Sequence, residues 1–166
     1  MRSVDVALSL PEADPEEVYE RVKQFARYPD LVPEVRSVVT HEITEGRATS
    51  DWEVYFRNGI LRWSEADEFD RNALTIDFAQ LDGDFELFTG TWRISATERG
   101  ARVDFQADFD FGMPSLQGIL DPVAERVIRE TIARIVLGLF GTGTVLDDAA
   151  LARAVEAASP ETRATA

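Results

Sequence analysis

Between Val35 and Gly112 the apolar residues return at every second position, and beyond Met113 they return at every third or fourth. The first period is that of a strand with one buried face, the second that of a helix with one buried stripe. Turn signals at TEGR, FRNG, FDRNA, LDGD and TERGA cut the first stretch into six strands. Their spacing of roughly 10 to 14 residues suits consecutive hairpins rather than alternating strand and helix units.

The flanks add little more. Val4, Val6, Leu8 and Leu10 alternate with polar residues and predict a strand. ADPEEVYERVKQF predicts a helix with Asp14 as cap, Pro15 at its first position and Glu17 completing a capping box. The prolines of ARYPDLVPEV allow only a short second helix after it. Leu120, Ala124, Val127, Ile128, Thr131, Ile135 and Leu139 then mark one long helix, whose main part starts at Asp121–Pro122 and which Gly138, Gly141 and Gly143 end. One domain over residues 1–143 is expected, with 144–166 as a tail holding a short helix from about Asp147 to Ala158 before fraying. The fold class is α+β: seven antiparallel strands curved around a long C-terminal helix, with two short helices after the first strand.

Composition narrows the function. Seventeen basic against 31 acidic residues leave a net charge of −14, which opposes nucleic acid and anionic membrane. No apolar run approaches the ~20 residues of a membrane span, and the N-terminus lacks the pattern of a secretory signal. A cytoplasmic protein without membrane insertion is expected. With no cysteine and His41 as the sole histidine, neither a metal site nor a cofactor is expected. His41 reads as a solvent-facing strand residue.

The stretch ARVDFQADFDFG sets Val103, Phe105, Phe109 and Phe111 on one face and an acidic row on the other. Trp52, Val54 and Phe56 share a parity, as do Ile76, Phe78 and Gln80, and Phe88, Gly90 and Trp92. An inner face this aromatic either packs as core or walls an apolar site with a few polar groups. Gly90 leaves room for a ligand or permits a bend, and Gln80 binds a ligand or sits at a rim. In ILRWSEADEFD one parity turns Arg62 and Ser64 inward, the other Glu65 and Asp67. An inward Arg62 would stabilise an enolate; an inward Glu65 would become a general acid or base through desolvation. Tyr28 either donates a proton at the cavity mouth or caps the core.

Two stretches carry a family resemblance. FARYPDLVPEVRSV, Phe25 to Val38, resembles the tyrosine-proline turn of the coenzyme Q-binding and polyketide-cyclase branch of the START-like superfamily. LDGDFELFTGTWRI, Leu81 to Ile94, resembles that branch's Gly-Pro-Phe…Leu-x-Gly-x-Trp hairpin, with Asp84 in place of the proline. The resemblance implies the helix-grip fold and an apolar guest between sheet and long helix. It implies a polyketide cyclase or aromatase-like protein that folds a poly-β-keto chain and promotes cyclisation and dehydration, or else a non-catalytic carrier of a quinone or lipid-like molecule.

For the enzyme, which is favoured, the expected catalytic residues are Arg62, Tyr28 and Glu65. The expected ligand contacts are Trp52, Val54, Phe56, Ser64, Ile76, Phe78, Gln80, Phe88, Gly90, Trp92, Phe105, Phe109, Phe111, Val127, Thr131 and Ile135. The basic cluster Arg21, Lys23, Arg27 and Arg36 is either a solvated helix end or a docking place for an acyl carrier protein.

Overall fold

The structure, a computed structural model, describes residues 1–157. β1 (Arg2–Pro11) leads through α1 (Pro15–Val22), a single 3-10 turn at Phe25–Arg27 and the one-turn α2 (Tyr28–Leu31). Six hairpin-connected strands follow: β2 (Val35–Thr44), β3 (Arg47–Phe56), β4 (Gly59–Asp70), β5 (Thr75–Gly83), β6 (Leu87–Ala96) and β7 (Gly100–Asp110). Then come α3 (Gln117–Phe140), the two-residue β8 (Thr144–Val145) and α4 (Ala149–Ala157). Each expected turn falls between the strands it was predicted to separate.

The sheet order is β2-β3-β4-β5-β6-β7-β1-β8, with every neighbour antiparallel. An eighth strand joins the seven expected, because the chain beyond Gly143 runs back along β1 and pairs Leu8 with Val145. That pairing covers part of an otherwise open edge. α4 follows and buries Leu151 and Val155 beside α3. The fraying expected of the last residues lies outside the described chain.

Local chemistry explains the helix ends. Asp14 is extended and its carboxylate accepts the Glu17 N–H at 3.3 Å, with Pro15 just inside α1. α3 begins at Gln117 and runs through Pro122, earlier than the Asp121–Pro122 start expected. The proline ring removes only the bond to the carbonyl of exposed Gly118, which water can serve. At the far end Gly141 adopts φ 71° and returns its N–H to the Leu137 carbonyl at 2.8 Å.

The strongly bent sheet closes on α3 through one apolar core reaching from Val4, Leu8 and Val103 to Ile135 and Val136. Burial also settles the facing of β4. Leu61, Glu65 and Asp67 are buried, Trp63 and Phe69 half-buried, while Arg62 and Glu68 are exposed. Trp52 of β3 pairs with Trp63, and Asp67 pairs with Phe78 of β5, so the inner parity of both neighbours draws this row inward. Opposite it, β5 carries an extra residue between Ser64 and Glu65. Such a bulge sharpens the local bend.

Candidate functional site

A cavity lies between the bent sheet and α3. Trp52 and Val54 of β3, Leu61, Trp63 and Glu65 of β4, Phe78 of β5 and Phe85 from the β5–β6 turn line it. Phe88 and Trp92 of β6, Phe105 of β7, and Val127, Ile128, Thr131, Ile132 and Ile135 of α3 complete the walls. About 60 Å3 is free inside, within about 580 Å3 left unfilled by atoms when the open mouth is counted. Ligand sites for drug-sized guests usually measure about 300–1,000 Å3. A guest with a ring must therefore displace side chains, and Trp63, Val127 and Ile132 are the half-buried ones.

The sheet side of the wall is mostly aromatic and mutually braced. Trp52 and Trp63 stack with centroids 5.7 Å apart and planes 4° from parallel, the Phe88 ring meets Trp63 edge-on at 5.2 Å, and Phe85 stacks on Phe88 at 4.6 Å. Offset and edge-to-face pairs of this kind are worth about 0.5–1.5 kcal/mol each beyond their buried area. The pairs hold the wall in shape around a small space.

Among the described residues, two polar side chains besides the tryptophan indoles line the cavity. The first is Glu65, 3% exposed, whose Oε1 accepts the Trp63 Nε1–H at 2.8 Å. Its neighbour on the same face is Asp67, 1% exposed. Asp67 Oδ2 accepts the Ser50 hydroxyl at 2.6 Å, and Ser50 Oγ in turn accepts the Trp52 indole N–H at 2.8 Å. The Glu65 and Asp67 carboxyls lie side by side and influence each other's titration. Burial first, then the neighbouring Asp67 carboxyl and its charge, push Glu65 well above the ordinary glutamate range, with the Trp63 N–H pulling partly back. Burial raises Asp67 as well, while the neighbouring Glu65 carboxyl and the Ser50 bond lower it. Two carboxyls side by side without a cation cannot both ionise cheaply.

The second polar group is the Thr131 hydroxyl on α3, 6% exposed and without a hydrogen-bond partner. A buried hydroxyl left so is costly unless a guest completes it.

Nine of the sixteen expected ligand contacts line this cavity: Trp52, Val54, Phe78, Phe88, Trp92, Phe105, Val127, Thr131 and Ile135. Glu65 joins them as the one expected catalytic residue placed there.

The structure places the other expected residues outside the cavity lining. Arg62 points away from α3 with its side chain 59% exposed, and its Nε bonds Glu53 at 2.7 Å, because the alternate parity of β4 is buried. Ser64 shares that outer face and donates to Asp51. Tyr28 is fully buried and its hydroxyl is committed to the Val22 carbonyl, so it caps the core. Phe56, Phe109 and Phe111 form a further aromatic layer with Phe85 beyond the cavity's end. Ile76 is packed in the core. Gly90 makes room for packing: a Cβ there would stand 2.2 Å from the Gln106 carbonyl oxygen and 2.6 Å from Phe78 Cζ. Gln80 sits at the rim, its amide donating to the Phe85 carbonyl at 2.8 Å.

Leu61, Trp63, Phe85, Ile128 and Ile132 belong to the lining and were not expected there. Leu61 and Trp63 follow once the facing of β4 is known. Phe85 lies in a turn, which has no period, and the signal for it was the hairpin motif. Asp84, where that motif has proline, accepts the Arg62 backbone N–H at 2.8 Å and fastens the turn to β4.

Among the described residues, no group of three or more histidine, cysteine, aspartate or glutamate side chains is placed to hold a metal ion, and no helix is long and apolar enough to cross a membrane.

Comparison with known proteins agrees with this architecture. Residues 11–136 match the family model for polyketide cyclase / dehydrase and lipid transport. The structure is similar to TTHA0849 from Thermus thermophilus, with 25% identity, a TM-score of 0.75, and 84% of this chain and 95% of that one covered. It shares its fold with the Zhui aromatase/cyclase from Streptomyces sp. R1128 at 17% identity and a TM-score of 0.70, over 84% and 93% of the two chains. A START superfamily protein from Mycobacterium smegmatis shares it too, at 18% identity and a TM-score of 0.64, over 84% and 94%. No curated protein sequence matched the chain.

Proposed function

Because this chain belongs to the polyketide cyclase / dehydrase and lipid transport family, we propose that it binds an apolar, poly-β-keto guest between sheet and α3 and promotes cyclisation and dehydration. The observation that carries this reading is Glu65, the single ionisable side chain in the cavity lining among the described residues. Aldol closure removes a proton from a carbon between two carbonyls and places one on the oxygen of the carbonyl attacked. Dehydration then protonates the hydroxyl that leaves as water and removes a neighbouring C–H proton. A buried carboxyl that both holds and accepts protons suits each of these transfers. The aromatic walls supply orientation, and holding two reacting carbons in place contributes up to about 7–11 kcal/mol.

The apolar remainder of the lining favours a second reading, carriage of a quinone or other lipid-like molecule without turnover. Carrier-protein delivery of a polyketide chain would use Arg21, Lys23, Arg27 and Arg36. Three of these already have acidic partners, in Glu17, Glu20 and Glu53, so the reading rests on the cavity rather than on that cluster.

The test is to incubate the protein with a reactive poly-β-keto thioester and follow the products beside Glu65→Gln. The enzyme reading expects a product distribution altered by wild type and returned toward the uncatalysed one by the variant. Tight guest binding with identical product distributions would leave carriage and remove catalysis.

A further inference from the structure

The inner row of β4 does not end at the cavity. Beyond Glu65 it continues to Asp67 and Phe69, and both of these line a second opening, a polar pocket of about 210 Å3 at the other end of the grip. Thr40, Glu42 and Thr44 of β2, Ala48 of β3 and Lys23 after α1 surround it. Between the two openings stands a partition of rings. Phe25 packs on Trp52 at 5.3 Å, Tyr28 on Trp52 at 5.7 Å, and Phe25 on Phe69 at 6.0 Å. The neighbouring carboxyls lie along this partition, with Glu65 lining the cavity and Asp67 lining the polar pocket.

The unpartnered atoms fit this placement. Asp67 Oδ2 is held by Ser50, while Oδ1 is buried and without a hydrogen-bond partner, open to a proton from the adjacent Glu65. Glu65 Oε1 is taken by Trp63, which leaves its second oxygen to carry that proton. A cavity lined almost wholly by apolar groups, and filled by a guest during reaction, is a poor route for water to return a proton.

We propose that Asp67 is the relay through which Glu65 exchanges protons with solvent, by way of the polar pocket beneath Lys23 and not through the ligand cavity. The proposal rests on Glu65 serving as the cavity's acid-base group. In each exchange one O–H bond forms as another breaks: water in the polar pocket gives a proton to Asp67, Asp67 passes one to Glu65, and the reverse flow releases it. No carbon bond changes. Asp67 touches no guest, so it is a positioning and relay residue rather than a catalytic one.

The groups facing the pair are few. Trp63 lies beside it on β4, Trp52 and Ser50 come from β3, Gln80 and Phe78 stand opposite on β5, Tyr28 comes from α2 and Thr131 from α3. The polar pocket adds the charged side chains Lys23, Glu42 and Arg47. Lys23 already pairs with Glu20 at 3.7 Å and Arg47 with Glu68 at 3.6 Å.

The Trp63 indole bonded to Glu65 gives a readout that needs no substrate. In the full chain, tryptophan emission is followed against pH and, after a rapid pH jump, against time. Wild type should show a transition that Glu65→Gln abolishes. Asp67→Asn should move that transition to lower pH, because the neighbouring negative charge is gone. Ala48→Phe, whose ring fills the polar pocket, should slow the relaxation several-fold while leaving the midpoint in place. Ala48→Leu should slow it less.

A transition lost in Glu65→Gln but relaxing at the wild-type rate in both Ala48 variants would overturn the relay and leave the Glu65 reading intact. An unmoved or raised midpoint in Asp67→Asn would overturn the coupling itself. A wild-type protein with no transition assignable to Glu65 would remove both readings.

Discussion

Replacing Thr131 by valine separates a ligand site from a packing defect, because the two predict opposite signs. Valine keeps the branched shape and removes only a hydroxyl that is buried and unpartnered. Leaving such a group unsatisfied costs about 1–3 kcal/mol, so the empty variant should be more stable by about that amount. In a domain of this size 1 kcal/mol moves the midpoint by about 2–4 °C. A rise of roughly 2–12 °C is expected from these ranges, read by differential scanning calorimetry without ligand. A guest whose carbonyl or hydroxyl completes Thr131 recovers the same energy on binding to wild type and cannot recover it in the variant. Its affinity should fall about five- to hundredfold, at about 1.4 kcal/mol per factor of ten. A fluorescence titration with a neutral polycyclic aromatic ketone measures that. A lower or unchanged midpoint together with unchanged affinity would refute the reasoning, since it would mean the hydroxyl is satisfied within α3 and plays no part in binding.

Three further outcomes follow. Glu65 holds its proton well above its unfolded range, so its contribution to stability is complete below the ordinary glutamate range and is lost as pH rises toward the raised folded value. Stability measured by denaturant titration should decline across that window in wild type, and the decline should flatten in Glu65→Gln; equal slopes would contradict the burial argument. Arg62→Ala and Ser64→Ala, on the outer face, should change stability by no more than about 0.5 kcal/mol and leave ligand affinity alone, and a large loss of binding in either would place them at the site after all. Gly90→Ala should cost at least about 1–3 kcal/mol and weaken ligand binding, because the added methyl drives the Phe78 ring toward the cavity; wild-type behaviour in a melt and a binding titration would show that the sheet yields instead.

The fold was legible because its two periods differ so clearly. Alternation over six strands followed by a helical stripe leaves few ways to bury both, and the curved sheet around α3 is the economical one. The eighth strand was not legible, since two residues set no period and Thr144–Val145 pairs only because the chain returns past β1.

The site was half legible, for a related reason: parity tells which face a side chain takes but not how far along the helix it lies. Phe109 and Phe111 share the face of Phe105 yet pack against Phe85 and Phe56 outside the cavity lining. β4 defeated the pattern outright, because each of its faces offers charged residues. The winning face is the one whose acids find Ser50, Trp63 and each other, a match made across strands that no single-strand pattern contains. Buried acids at inner positions are the places where local rules fail, and function concentrates at such places.

The central claim is that the space beside Glu65 receives a guest. A crystal structure of the protein grown with a neutral bicyclic aromatic ketone tests it most directly. The ring system should lie against Trp63 and Phe88, with Ile132 displaced and the carbonyl oxygen within hydrogen-bond distance of the Glu65 carboxyl. A cavity still closed by its own rings, with the ketone absent or bound elsewhere, would contradict that claim.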